Sequence, residues 1–69
     1  MKLSARNILK GTVKEIEIGP VNAEIDLEVA PGITITSIIT KKSCDNLGLE
    51  VGKEAYAVIK ASSVMIGTE

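Results

Sequence analysis

Val21-Asn22-Ala23-Glu24-Ile25-Asp26-Leu27-Glu28-Val29 alternates apolar and polar residues at every step. Successive side chains of an extended strand point to opposite faces, so this period of two predicts a strand with one apolar and one acidic, solvated face. Gly19-Pro20 before it and Pro31-Gly32 after it are turn-forming dipeptides. The second closes a hairpin onto Ile33 to Ile39, a further strand. There Ile33, Ile35, Ser37 and Ile39 fall on one side and Thr34, Thr36 and Ile38 on the other, so both faces are expected to be covered. Upstream, Ile8 to Ile18 reads as the first strand. Its alternation is broken: Val13 and Ile16 are out of phase, whereas Ile16 and Ile18 agree. With Gly11 nearby, a bulge or sharp bend is predicted.

The alternation stops at Thr40. This residue suits an N-cap and Gly48 suits a helix stop, so Thr40 to Leu47 predicts one short helix that plugs the fold with Leu47 and Cys44. After the Gly48–Gly52 loop, Glu54 to Ile59 predicts a fourth strand with Tyr56 and Val58 on one face. Lys60–Ser63 then reads as a turn and Val64 to Ile66 as a short final strand. The helix is too short for a βαβ crossover, so the fold class is all-β. The order points to a five-stranded Greek-key OB-type barrel with one short helix between strands 3 and 4. No repeat, linker or low-complexity tract divides residues 1–69, which form a single domain.

A chain of 69 residues buries only about 60% of the surface it exposes when unfolded. Burial and the entropy of ordering, about 1.5 kcal/mol per residue, then nearly cancel. One cysteine allows no internal disulfide, and the lack of histidine argues against a structural zinc site. The composition is nevertheless 45% hydrophobic without Phe or Trp. Ile, Val, Leu and Ala must build the core, and surplus apolar surface is expected to be buried between copies of the chain. The net charge of −1 supplies no basic field for nucleic acid. No apolar run is long enough for a membrane span, and no signal-peptide pattern opens the chain. With its single thiol suited to a reducing interior, the protein is expected in the cytoplasm.

Two segments carry the candidate chemistry. Ser4-Ala5-Arg6-Asn7 and Lys60-Ala61-Ser62-Ser63 each set a cation beside small hydroxyl residues and unobstructed amides. Arginine offers a planar fork of donors and lysine a compact point charge, while serine hydroxyls rotate to donate where needed. That combination suits a small oxyanion. Taken singly, Arg6 and Lys60 are more often surface cations, Ser62 and Ser63 more often turn residues, and Gly19 at least as often a turn glycine. Glu24, Asp26 and Glu28 invite a divalent-cation reading, but a strand face of carboxylates is more often solvated or paired with lysines. Lys41-Lys42 reads as a solvated helix face. Cys44, with no histidine to activate it, is a packed residue rather than a nucleophile. No catalytic constellation and no metal-cation site assemble, so no enzyme is expected.

Together with Leu9-Lys10-Gly11-Thr12-Val13, Gly19-Pro20-Val21-Asn22-Ala23-Glu24, Ile35-Thr36-Ser37-Ile38-Ile39 and Lys60-Ala61-Ser62-Ser63-Val64-Met65-Ile66, the segment Ser4-Ala5-Arg6-Asn7 resembles the molbindins. These small cytoplasmic molybdate-binding proteins are related to accessory domains of molybdate regulators and importers. The resemblance covers essentially the whole chain. It implies an OB-type fold assembled as a homo-hexamer, a trimer of dimers, holding molybdate or tungstate between subunits for storage and homeostasis. A subunit-pair site would use Ser4, Arg6, Lys60, Ala61 and Ser62. A threefold-type site would use Ile18, Gly19 and Val21, where Pro20 has no amide hydrogen to give.

Molybdate is a tetrahedral dianion without protons at neutral pH, so a site for it needs donors and no carboxylate. Charge-assisted hydrogen bonds contribute about 1.5–3 kcal/mol each, enough for micromolar binding once desolvation is set against them. Phosphate is partly protonated and fits such a site less well, whereas sulfate is separated only by size. No organic cofactor, pterin included, is called for by any residue pattern. Alternatives are an OB-fold binder of single-stranded nucleic acid, which would need aromatics in a positive groove where only Tyr56 is present, and a purely structural oligomer.

Overall fold

The computed structural model describes all 69 residues. Strands β1 (Asn7–Ile18), β2 (Asn22–Ala30) and β3 (Ile33–Thr40) are followed by helix α1 (Lys41–Leu47), strand β4 (Glu54–Ile59) and a single 3-10 turn at Ala61–Ser63. The strands form one antiparallel sheet in the order β3-β2-β1-β4.

The broken phase of β1 has a local cause. Val13 pairs with Leu27 and Glu15 with Asp26, which leaves Lys14 as the extra residue of a bulge. One added residue shifts a period of two by half a cycle, so Val13 and Ile16 face the core from either side of it. Beside the bulge the Val13 N–H donates to the Lys53 carbonyl at 2.9 Å, and the Val13 carbonyl accepts from Gly52 N–H at 2.8 Å. Gly11 lies hard against the backbone of β2: a Cβ there would meet the Glu28 carbonyl oxygen at 2.5 Å. The bend is therefore a close crossing that only glycine permits.

β2 behaves as its alternation requires. Ala23, Ile25 and Leu27 are buried while Asn22 and Glu24 are exposed, with Val21 just outside the strand. Gly32, at φ +76°, takes the turn position that excludes most side chains, and β3 returns antiparallel. On β3, Ile35 and Ile39 are half-buried toward the core, but Ile33 and Ile38 are 57% and 67% exposed. Within one chain, β3 is covered on one face only.

The Thr40 side chain caps α1, accepting from the Ser43 N–H at 3.0 Å. Gly48 ends the helix at φ 63° and ψ 36°. Its N–H donates to the Asp45 carbonyl (3.1 Å), and the Leu49 N–H donates to the Cys44 carbonyl (3.4 Å). These are the two bonds of a Schellman stop, which folds the residue after the glycine back onto the last turn. The expected plug is corrected accordingly. Cys44 is buried and Leu49 packs against the core, whereas Leu47 is 67% exposed.

Only Val13, Ala23, Ile25, Leu27 and Cys44 are buried. The outer strands β3 and β4 do not pair with each other. Between them lies a trough of about 580 Å³ walled by Ile35, Ile39, Leu49, Ala55, Ala57 and Ile59. The expected fifth strand is absent, so the sheet has four strands and curls without closing. The Val64 N–H turns back to the Ala61 carbonyl (3.3 Å), and no strand follows that turn. Met65 and Ile66 are 93% and 88% exposed. No helix is long and apolar enough to cross a membrane.

Candidate functional site

β1 and β4 are antiparallel, and their ladder ends with Asn7 opposite Ile59. The segment before β1 and the segment after β4 must therefore emerge side by side. Ser4 and Arg6 border a single open cavity of about 540 Å³ together with Lys60, Ala61 and Ser62, which come more than fifty residues later in the chain. Leu3, Ala5 and Val58 complete its wall. Ser63 is not among the lining residues.

The charges fit one sign of ligand. No carboxylate lines the cavity. The ion pairs of the molecule lie elsewhere: Lys10 with Glu54 (2.9 Å), Lys14 with Glu28 (3.6 Å) and Lys53 with Glu50 (3.4 Å). Arg6 and Lys60 thus face the cavity without an anionic partner. Bonding within the 3-10 turn begins with the Ser63 N–H, which donates to the Lys60 carbonyl at 2.8 Å. The amides of Ala61 and Ser62, ahead of it, find no acceptor in the turn. Two cations and two rotatable hydroxyls thus border one space, beside two residues whose amides are not used by the turn, an arrangement suited to an anion rich in acceptors.

Ile18, Gly19 and Val21 lie at the far end of the 12-residue strand β1. Ile18 and Val21 are 51% and 69% exposed. The Gly19 N–H donates to the Asn22 carbonyl at 2.8 Å, and the Val21 carbonyl accepts from the Lys41 N–H at 2.8 Å. Gly19 is thus a turn residue whose amide is already engaged. The three do not line the cavity that holds Arg6 and Lys60.

The carboxylates of β2 do not gather into a cation site. Asp26 accepts from the Thr36 hydroxyl at 2.8 Å and Glu28 faces Lys14. No group of three or more His, Cys, Asp or Glu side chains is placed to hold a metal. The walls formed by Val58 and Leu3 were missed from sequence. The signal for Val58 was present, since alternation sets it on the outward face of β4 with Tyr56, which is also exposed.

The TOBE domain model matches residues 3–66. The chain belongs to the TOBE domain family. Within the family it is of the molbindin type. It is 52% identical, over the full length of both chains, to a probable molybdenum-pterin-binding protein of Haemophilus influenzae. The fold superposes on MopII from Clostridium pasteurianum with a TM-score of 0.91 at 48% identity, covering 97% of this chain and all of that one. It also superposes on the cytoplasmic molybdate-binding protein ModG, whose structure has molybdate bound, with a TM-score of 0.94 at 55% identity; that match covers all of this chain and 49% of the other. The OB-type class thus holds for this TOBE domain, although its own sheet has four strands.

Proposed function

We propose that this TOBE domain binds molybdate or tungstate as an intact dianion, in the cytoplasm, for storage and homeostasis of the metal. It acts as a binding protein and catalyses no reaction. One observation carries this reading: Arg6 and Lys60 share a cavity with Ser4, Ala61 and Ser62, with no carboxylate beside them. Charged side chains left without partners next to free donors suit a ligand that brings only negative charge and acceptors. The relatives, which include a protein with molybdate bound, support the same ligand.

The cavity of about 540 Å³ is far larger than one tetrahedral anion, and in a single chain it is open. We place its closure at contacts between copies, in a homo-hexamer built as a trimer of dimers. Exposed apolar side chains such as Ile38, Met65 and Ile66 support assembly, because a monomer seldom leaves so much apolar surface in water. Ile18, Gly19 and Val21 would line the second, threefold-type class of site, with the Gly19 amide, held by the Asn22 carbonyl, not among its donors. Sites shared in this way make anion occupancy stabilise the assembly by mass action.

Isothermal titration of the protein with molybdate, sulfate and phosphate at equal concentration tests the proposal. Saturable molybdate binding at least tenfold tighter than phosphate is expected. Equal or absent heats for all three anions would defeat it.

A further inference from the structure

The cavity next to Arg6 and Lys60 has a wall whose chemistry the donor set leaves unexplained. Of its eight lining residues, Val58 alone belongs to a strand, β4. Its backbone is fixed in register opposite Ile8. Ser4 and Arg6 precede β1, while Lys60, Ala61 and Ser62 come after β4, so all of these lie outside the ladder. Val58 is also the one residue that lines both this cavity and the apolar trough between β3 and β4. It stands between the donor-bearing cavity and the apolar trough.

We propose that Val58 is a specificity-determining residue of the cavity, denying a hydrogen-bond acceptor to protonated oxyanions; this rests on the oxyanion reading above. Molybdate carries no proton at neutral pH, whereas every form of phosphate present there carries at least one. Arg6 and Lys60 only donate, so they cannot receive that proton. Ser4 and Ser62 hydroxyls rotate to donate or accept, so they do not exclude it. Discrimination falls to the part of the wall that has no polar atom and cannot move. Leu3 is apolar too, but it lies four residues ahead of β1 in a segment that no ladder holds. A P–OH group turned toward the Val58 methyl groups is left without a partner, and one turned toward Ser4 or Ser62 takes that hydroxyl from donating to the charged oxygens, so either orientation disfavours the protonated anion, by roughly 5- to 150-fold.

Val58 is 45% exposed in the single chain, so a polar side chain there is compatible with folding. The test is anion titration at neutral pH of the wild type, Val58→Asn, Val58→Thr and Val58→Ile, each with molybdate, phosphate and sulfate. Asn supplies a carbonyl acceptor, Thr an acceptor within the original shape, and Ile neither. Val58→Asn is expected to shrink the preference for molybdate over phosphate about tenfold, through a gain in phosphate binding. Val58→Thr moves it in the same direction by less, and Val58→Ile keeps it. The preference for molybdate over sulfate, which has no proton at this pH, stays in place throughout. An unchanged phosphate ratio in the Asn and Thr variants overturns the assignment to Val58, as does a parallel gain for phosphate and sulfate. A wild type that shows no molybdate binding overturns the oxyanion reading itself, and this inference with it.

Discussion

Gly11→Ala tests whether the course of β1 is dictated by contact or merely tolerated. A Cβ at position 11 would lie 2.5 Å from the Glu28 carbonyl oxygen, 3.0 Å from its carbon and 2.9 Å from Leu27 Cγ. The leucine side chain can yield; the carbonyl cannot, because the neighbouring pairs Thr12–Glu28 and Val13–Leu27 hold both strands in place. Overpacking of this kind costs about 1–3 kcal/mol, and a backbone obstacle places it in the upper half of that range. The opposing effect is the entropy that alanine removes from the unfolded chain, about 0.4–1 kcal/mol of stabilisation where no clash exists. The clash wins, leaving a net loss of about 1–2 kcal/mol. For a domain of this size each kcal/mol is about 4–8 °C in Tm, so a fall of roughly 5–15 °C is predicted. Thermal and urea unfolding at one fixed protein concentration measure it, with Gly67→Ala as the control, because nothing lies within 4 Å of a Cβ there. A Gly11→Ala protein as stable as the wild type, or more so, would refute the close-crossing argument.

Three further outcomes rest on named contacts. Arg6→Ala should weaken molybdate binding at least tenfold, the loss of about one charge-assisted hydrogen bond or more, while the unfolding midpoint without anion stays within about 0.5 kcal/mol of the wild type; unchanged affinity and stoichiometry would remove Arg6 from the site. Thr40→Ala deletes the acceptor for the Ser43 N–H and should lower stability by about 1 kcal/mol, with Thr40→Ser restoring most of it; equal stability of all three proteins would show that the cap is idle. The Lys10 amine is held above its ordinary value, first by its hydrogen bond to Glu54, then by the Glu54 charge and by Tyr56 once ionised. A raised cation contributes stability at all pH values below its unfolded pKa and loses it as pH climbs through the folded one. NMR titration should therefore find Lys10 deprotonating late, and Glu54→Gln should bring it back toward the usual lysine range.

Much of this fold was legible because its strongest signals are local. The alternation of Val21–Val29, the Pro31-Gly32 turn, and Thr40 and Gly48 as helix limits each depend on neighbouring residues, and the structure keeps them. The misplaced parts depend on partners distant in sequence. Val64–Ile66 has the composition of a strand, but a strand exists only where an edge accepts it, and the residues after the 3-10 turn at Ala61–Ser63 pair with none. Leu47 looked like the natural plug, being the largest apolar residue of the helix. The Schellman stop instead turns Leu49 inward over Cys44, an outcome set by two backbone bonds rather than by side-chain size. The convergence of Ser4–Arg6 with Lys60–Ser62 could be inferred from resemblance alone, since nothing local to either segment refers to the other. The register of β1 with β4 supplies the physical reason. Val58 went unnoticed because an apolar residue on a strand reads as packing until the cavity beside it is seen.

Diffraction from crystals of the protein soaked in molybdate, recorded for the anomalous signal of molybdenum, addresses the donor-lined cavity most directly. The account predicts a molybdenum peak with oxyanion oxygens within hydrogen-bonding distance of the Arg6 guanidinium and the Lys60 ammonium, in a cavity closed by a second copy of the chain. Fully occupied molybdenum found only elsewhere, with Arg6 and Lys60 turned to solvent, would contradict it.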